Sequence, residues 1–173
     1  MLKEDGSVVT WSIANWGGDS KSVASHLNAG VKEIYSTPGA FAALKEGGFV
    51  VTWGHGDLGG DSRSIDTHLR SGVKKIYSTD GAFAALKTDG SVVTWGKQSW
   101  GGNSSSVVAQ IGSGVHDIYS SRYSFARLFH GPAQTTDQRS PCIKTSTHQQ
   151  SYTILRRAIV LAQHILQKQD LFW

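Results

Sequence analysis

The chain has 173 residues, a hydrophobic content of 39% and a single cysteine, Cys142. These values are typical of a globular protein with its own core, and they exclude an internal disulfide framework and a cysteine-rich zinc site. The net charge of +4 does not indicate nucleic-acid binding, because residues 1–128 hold 12 Lys/Arg against 11 Asp/Glu and most of the excess lies after them.

The first residues carry no signal peptide. The segment Met1-Leu2-Lys3-Glu4-Asp5-Gly6 is charged from the start and lacks an apolar core. No apolar run in the chain approaches the roughly 20 residues of a membrane-spanning helix. Together with the absence of paired cysteines, these features predict no membrane span and favour a cytoplasmic or nuclear location.

The chain up to residue 128 is built from a 42-residue repeat. Trp11, Trp53 and Trp95 are 42 positions apart, and the first two full units share 26 identities in 42 aligned positions without a gap. Such identity establishes internal duplication, so each unit should fold alike.

Each unit contains a predicted β-hairpin. In residues 81–96 two apolar runs flank the pair Asp89-Gly90, and glycine accepts the positive φ that a tight hairpin turn needs. Equivalent turns are expected at Asp5-Gly6 and Gly47-Gly48. The run that ends at Trp95 consists of strand-forming residues that suit a half-buried sheet.

Two further elements are predicted in each unit. Segments 22–27, 64–69 and 104–111 should form one or two helical turns opened by a serine cap. Val73 and Ile76 then lie three residues apart, which departs from clean alternation and predicts a strand with a β-bulge. Three strands per unit, or four, describe a propeller blade or a turn of a β-solenoid.

These motifs together resemble the repeat of the regulator of chromosome condensation family. The matching pattern is Val73-x-x-Ile76, Gly81-Ala-Phe-Ala-Ala-Leu86, Asp89-Gly90-Ser-Val-x-x-Trp95-Gly96 and Gly101-Gly102. Members of this family form seven-bladed β-propellers that bind other proteins. Because three units are too few to close such a ring, the resemblance implies an all-β fold: a partial, open β-propeller arc of about three blades.

The two ends of the repeat region are predicted to be incomplete hairpin halves. Residues 6–11 supply a second hairpin strand without its first, and residues 124–128 supply a first strand without its second. Exposed strand edges recruit other strands, so self-association through these edges is one expectation and fraying is the other. An open arc, a multi-chain ring and a truncated gene product are all compatible with this pattern.

The remaining residues change in character. Residues 129–151 contain Pro132, Pro141 and many Thr, Gln and Ser, which is typical of a flexible linker. Residues 152–173 are predicted to form a helical tail with one amphipathic α-helix. Its apolar face consists of Leu155, Ile159, Ala162 and Leu166. The helix could dock on a blade, bind a partner or membrane surface, or be an unrelated extension.

No catalytic, metal or cofactor site is indicated. The seven histidines lack the close spacing of zinc ligands, and Cys142 has no placed base nearby in sequence. The aspartates among the glycines are interpreted as turn caps rather than calcium ligands, because the third unit has Asn103 at that place. These aspartates are Asp19, Asp57 and Asp61. We therefore predict that the chain is not an enzyme.

The predicted function is a protein-interaction scaffold. The variable loop after each repeated tryptophan should supply the contacts, since exposed aromatic residues in loops are typical interface anchors. The candidate binding residues are Trp16, His55, Asp57, Leu58, Gln98 and Trp100, and Asn15 precedes the first of them. The partner would be another protein.

Two alternatives stay open. The chain could be a carbohydrate-binding or enzyme-accessory module in which Trp16 and Trp100 stack on sugar rings, or a fragment of a longer propeller with no independent function. The repeated Trp11, Trp53 and Trp95 are predicted to anchor the blade cores rather than to stack on a ligand.

Overall fold

The computed structural model describes residues 1–129, which form eight β-strands in three small antiparallel sheets. The strands are β1 (Val31–Ser36), β2 (Ala40–Lys45), β3 (Val50–Gly54), β4 (Val73–Ser78), β5 (Ala82–Lys87), β6 (Val92–Gly96), β7 (Val115–Ser120) and β8 (Phe125–Phe129). Strands β1–β3 form the first sheet, β4–β6 the second and β7–β8 the third, each in chain order. The fold is mostly β, and no closed barrel occurs within residues 1–129.

The helices are short and lie between the sheets. Three α-helical turns are α1 (Ala24–Leu27), α2 (Asp66–Leu69) and α3 (Val108–Ile111). The 3₁₀ turns are Ala14–Trp16, Lys21–Val23, Glu46–Gly48, Gly56–Leu58, Arg63–Ile65, Gln98–Trp100 and Ser105–Val107. Within residues 1–129, no helix has the length and apolarity needed to cross a bilayer. The predicted helical tail, and the predicted linker apart from residue 129, lie outside the described residues.

The predicted hairpins are confirmed. Strand β5 pairs antiparallel with β6, with Phe83 opposite Trp95, and Gly90 in the turn has a φ of +77°. The Asp89 carboxylate accepts the backbone N–H of Ser91 at 2.9 Å, which holds the turn. Strands β2 and β3 pair in the same register.

The predicted β-bulge is also confirmed. The register of β4 against β5 shifts between Val73 and Lys75, and β1 and β7 shift at equivalent places. A bulge puts an extra residue into one strand, and here both apolar residues of β4 reach the core. Val73 and Ile76 are 4% and 1% exposed.

The helical turns form where predicted, but the serine caps are wrong. No side-chain cap is present at the start of any of these turns. Instead, Ser104 shares a hydrogen bond of 3.0 Å with Thr94 of β6, and Ser62 does the same with Thr52 at 2.9 Å. The serine hydroxyls therefore tie each helical turn to a strand rather than to its own backbone.

The tryptophans at the ends of β3 and β6 anchor the core as predicted. Trp53 is 3% exposed, stacks on Phe41 with ring centroids 5.3 Å apart, and donates its indole N–H to the Gly17 carbonyl at 3.1 Å. Trp95 is also 3% exposed, and it repeats these contacts with Phe83 and Gly59.

The prediction for Trp11 is wrong, because this side chain is 67% exposed. Trp53 needs a phenylalanine on the neighbouring strand and a glycine carbonyl 36 residues before it. Within residues 1–129, Trp11 has neither a stacked phenylalanine ring nor a carbonyl that accepts its indole N–H. The same sequence motif is therefore buried twice and exposed once.

The first hairpin is more complete than predicted. Leu2 forms an antiparallel bridge with Val8, and Met1 and Val9 exchange two backbone hydrogen bonds of 2.7 and 2.9 Å. Residues 6–11 are therefore not an unpaired half, since a short first strand precedes them. At the other end, β8 pairs with β7 and with no second strand among residues 1–129.

Ser12 is the one non-glycine residue in residues 1–129 with a positive φ, at 99°. Its counterparts Gly54 and Gly96 have φ of 104° and 100°. A Cβ at Gly54 would lie 2.6 Å from the Gly39 carbonyl oxygen. Within residues 1–129 no strand lies beside Ser12, which is exposed, so its side chain has space while its backbone stays strained.

We expect Ser12→Gly to raise the free energy of unfolding by about 1 kcal/mol, because glycine adopts this left-handed conformation without a steric cost. Urea unfolding followed by circular dichroism measures the change. Ser12→Ala is the control and should give no gain, since alanine keeps the strain. Equal stabilities of the glycine and alanine variants would contradict the assignment of strain to this position.

Candidate functional site

The loops that follow β3 and β6 lie against turns of neighbouring units. A Cβ added at Gly39, between β1 and β2, would come within 2.7 Å of Leu58 and 3.4 Å of Trp16. A Cβ added at Gly81 would come within 2.7 Å of Trp100 and 3.1 Å of Leu58. Trp16, Leu58 and Trp100 hold equivalent loop positions, and their side chains therefore form one row. Gly39 lies between the first two and Gly81 between the last two.

Buried threonines hold these loops in place. Thr37 and Thr79 are 6% and 5% exposed, and each begins the turn before a central strand. The Thr37 hydroxyl donates to the Leu58 carbonyl at 3.0 Å, and the Thr79 hydroxyl donates to the Trp100 carbonyl at 2.9 Å. A hydrogen bond between buried groups is costly to break, so the loops that carry Leu58 and Trp100 are held in place before any partner binds.

Two more rings extend the row. His55 meets the edge of Trp16 at a centroid distance of 6.4 Å, and Tyr123 lies 5.0 Å from Trp100. We name Trp16, His55, Leu58, Trp100 and Tyr123 the ridge. Trp16 is 50% exposed and Tyr123 is 48% exposed, while the other three are partly buried. The Nδ1 atom of His55 is buried and has no hydrogen-bond partner within residues 1–129.

One end of the ridge is cationic. The Lys97 ammonium lies 3.8 Å from the centre of the Trp100 ring, and the Arg122 guanidinium lies 5.4 Å from the Tyr123 ring. Arg122 also forms an ion pair of 2.9 Å with Asp80 at the equivalent place in the preceding unit. Lysine and arginine held over aromatic rings add charge without covering the exposed ring edges.

The remaining predicted site residues do not join the ridge. Asp57 and Gln98 line a polar groove of about 960 Å³ between two successive loops. An equivalent groove of about 460 Å³, lined by Asn15, Asp19 and Lys21, lies one unit earlier. The structure thus separates the candidate residues into an apolar ridge and two polar grooves.

The interpretation of Asp19 and Asp61 as turn caps is confirmed. The Asp19 carboxylate accepts the backbone N–H of Lys21 at 2.9 Å, and Asp61 accepts that of Arg63 at 3.0 Å. Asn103 does the same in the third unit. Hydrogen bonds from the Arg63 side chain, then from its backbone, lower the pKa of Asp61 to about 2. Asp57 is exposed in its groove.

No group of three histidine, cysteine, aspartate or glutamate side chains could hold a metal ion within residues 1–129. His26 and His68, the repeated pair, are both exposed. His26 meets the edge of the Phe49 ring at 5.6 Å, which is a packing contact.

Sequence reasoning missed Tyr123, Lys97 and Arg122. Tyr123 takes the repeat position of Gly39 and Gly81, so the third unit replaces a turn glycine with a large aromatic ring. This departure from the repeat was the signal that could have found it. Lys97 and Arg122 carry no such signal, because surface cations are common and their ring contacts depend on the tertiary structure.

Comparison with known proteins adds no family. No family model matches the chain, and no curated protein matches it.

Proposed function

We propose that the chain is a non-catalytic protein-interaction scaffold whose sheets are successive blades of a partial, open β-propeller arc. Strand β4 packs against β1 and β2 of the preceding sheet, and β7 packs against β4 and β5. This repeated packing of each sheet on the one before supports an arc of blades. The resemblance of the repeat to that of the regulator of chromosome condensation family favours the same arrangement, because members of that family form β-propellers.

The ridge is the proposed contact surface, because equivalent loop residues of three units lie side by side on it. Trp16, Leu58 and Trp100 occupy equivalent positions in three units and meet across the turn glycines. Interfaces are enriched in tryptophan, tyrosine and arginine, and the two aromatic residues bury large areas at low cost in side-chain entropy. The ridge offers tryptophan and tyrosine side chains, and buried threonines hold the loops that carry Leu58 and Trp100.

The cationic end suggests the chemistry of the partner. Lys97 and Arg122 flank Trp100 and Tyr123, so a partner with apolar side chains and a nearby carboxylate would match that end. Complementary charge raises the association rate and selects the orientation of the partner.

We expect the double variant Trp16→Ala, Trp100→Ala to bind a protein partner at least about tenfold more weakly than the parent, because it removes both tryptophans of the ridge. Affinity capture from lysate finds the partner, and calorimetry with the purified partner measures the loss. Tyr119→Ala is the matched control, since Tyr119 is 46% exposed and lies outside the ridge. It should bind like the parent.

A partner that binds the double variant and the parent equally would overturn the ridge as the contact surface.

A carbohydrate-binding module is the second candidate function, and the repeated polar grooves favour it. Asp57 and Gln98 in the larger groove could hydrogen-bond sugar hydroxyls. Glycan-array binding that Asp57→Ala and Gln98→Ala abolish, with no protein captured, would select this candidate.

A further inference from the structure

One position beside the ridge changes its chemistry from unit to unit. It lies just before the 3₁₀ turns that end at Trp16, Leu58 and Trp100. This position holds Ile13, His55 and Lys97 in the three units, and its φ is −64°, −67° and −63°. Since the backbone is nearly the same, each side chain starts from an equivalent place beside the ridge. The flank of the ridge therefore changes from an apolar residue in the first unit to a cation in the third.

The cation at this position, Lys97, has no carboxylate partner within residues 1–129. Its side chain is partly buried, and its ammonium lies 3.8 Å from the centre of the Trp100 ring. None of the ion pairs in this part of the chain includes it. An ammonium has three N–H donors, and a partly buried charge is stabilised by an opposite charge. Lys97 is thus ready to receive a carboxylate from outside.

The second cation at this end of the ridge is already paired. Arg122 forms an ion pair of 2.9 Å with Asp80, whose side chain is 29% exposed. Two cations, Lys97 and Arg122, and one carboxylate, Asp80, give a net charge of +1. Because Asp80 offsets the charge of Arg122, the excess charge lies on Lys97.

The shape of the ridge favours an extended ligand. Trp16, Leu58 and Trp100 follow one another in a single row, with a turn glycine between each neighbouring pair. Tyr123 stands at the repeat position of those glycines and ends the row in the third unit. An extended peptide that lies along such a row contacts each member in turn, as peptides do in other grooves lined by aromatic residues.

We propose that the ridge binds an extended peptide segment whose apolar side chains pack on Trp16, Leu58 and Trp100 and whose carboxylate pairs with Lys97. This inference rests on the proposed function of the ridge and adds the class and the direction of the partner. The acidic residue of the segment lies at the third unit, since the first unit offers Ile13 at the equivalent position. A segment with a basic residue at that place would meet the cation and be rejected.

A phage-displayed library of random linear peptides, selected on the full parent chain, tests the proposal. We expect the selected peptides to combine aromatic or leucine residues with an aspartate or glutamate near one end. The tightest of them is synthesised, and fluorescence anisotropy measures its affinity. Lys97→Glu should weaken its binding at least about fivefold, because an attractive pair of charges becomes a repulsive one.

Two further variants show whether the charge is responsible. Lys97→Arg should lose much less, about twofold at most, because arginine keeps the charge and also stacks on aromatic rings. Lys32→Glu is the matched control, since it makes the same change of net charge at an exposed lysine of β1, outside the ridge. It should bind like the parent. A peptide with lysine in place of its acidic residue should bind Lys97→Glu more tightly than it binds the parent.

The variants also separate this proposal from the function of the ridge. Peptide binding that falls in the double variant Trp16→Ala, Trp100→Ala but not in Lys97→Glu would overturn the acidic partner and leave the ridge as the contact surface. Binding that neither variant weakens would overturn both, because the peptide would then lie elsewhere. A selection that enriches no peptide, or only peptides without aspartate and glutamate, overturns the acidic peptide as the partner.

Discussion

Trp53→Ala is expected to lower the free energy of unfolding by about 3–5 kcal/mol, the usual cost of removing a large buried aromatic side chain. The variant loses the stack on Phe41 and leaves a cavity in the core of the first sheet. It also frees the Gly17 carbonyl, which accepts the indole N–H at 3.1 Å. An unpaired buried carbonyl adds to the cost.

Trp11→Ala is the matched control for this experiment. It changes the same residue in the same Val-Val-Thr-Trp motif, but the side chain is 67% exposed. We expect a change within about 0.5 kcal/mol, measured by urea unfolding at a concentration low enough to keep the chain monomeric. Equal costs for the two variants would contradict the difference in burial between these tryptophans.

Gly59→Ala is expected to lower the free energy of unfolding by about 2–5 kcal/mol, because it combines backbone strain with overpacking. Gly59 has a φ of 102°, which alanine adopts only at a steric cost. A Cβ at this position would lie 2.5 Å from the Phe83 ring. The ring cannot move away freely, because Phe83 is fully buried against Trp95.

Gly47→Ala separates the two causes. Gly47 has a φ of 76°, but a Cβ there would meet nothing within 4 Å. We expect it to cost only about 1–2 kcal/mol from backbone strain. Thermal unfolding of both variants measures the difference. If Gly59→Ala were no more destabilising than Gly47→Ala, the contact of the loop glycine with the phenylalanine ring would not be a tight one.

Trp53→Ala and Gly59→Ala disturb the same kind of contact between successive sheets. The loop after Trp53 brings Gly59 onto the ring of Phe83 in the next sheet. The Gly59 carbonyl also accepts the indole N–H of Trp95. Losing Trp53 or crowding Gly59 should therefore loosen neighbouring units as well as one sheet. In repeat proteins the interfaces between units carry much of the stability, so such changes propagate along the chain.

Much of the local structure follows from the sequence alone. The Asp-Gly and Gly-Gly pairs predict hairpin turns because only a few residues accept positive φ, and the spacing of Val73 and Ile76 predicts the bulge because a strand alternates every two residues. The loops after the tryptophans were found because they carry variable aromatic residues. Two tryptophans and one leucine of these loops, Trp16, Trp100 and Leu58, lie on the ridge.

The tertiary structure decides which copy of an identical sequence has its tryptophan buried. Val-Val-Thr-Trp is the same at residues 8–11 and 50–53, yet only the second tryptophan is buried, because burial requires a neighbouring strand and a loop from the preceding unit. The hydroxyl of Ser104 was expected to cap its own helical turn and instead bonds Thr94, since the folded chain brings β6 within reach. Composition and spacing determine turns and strands; contacts between units, which no local pattern contains, determine which side chains remain available to bind.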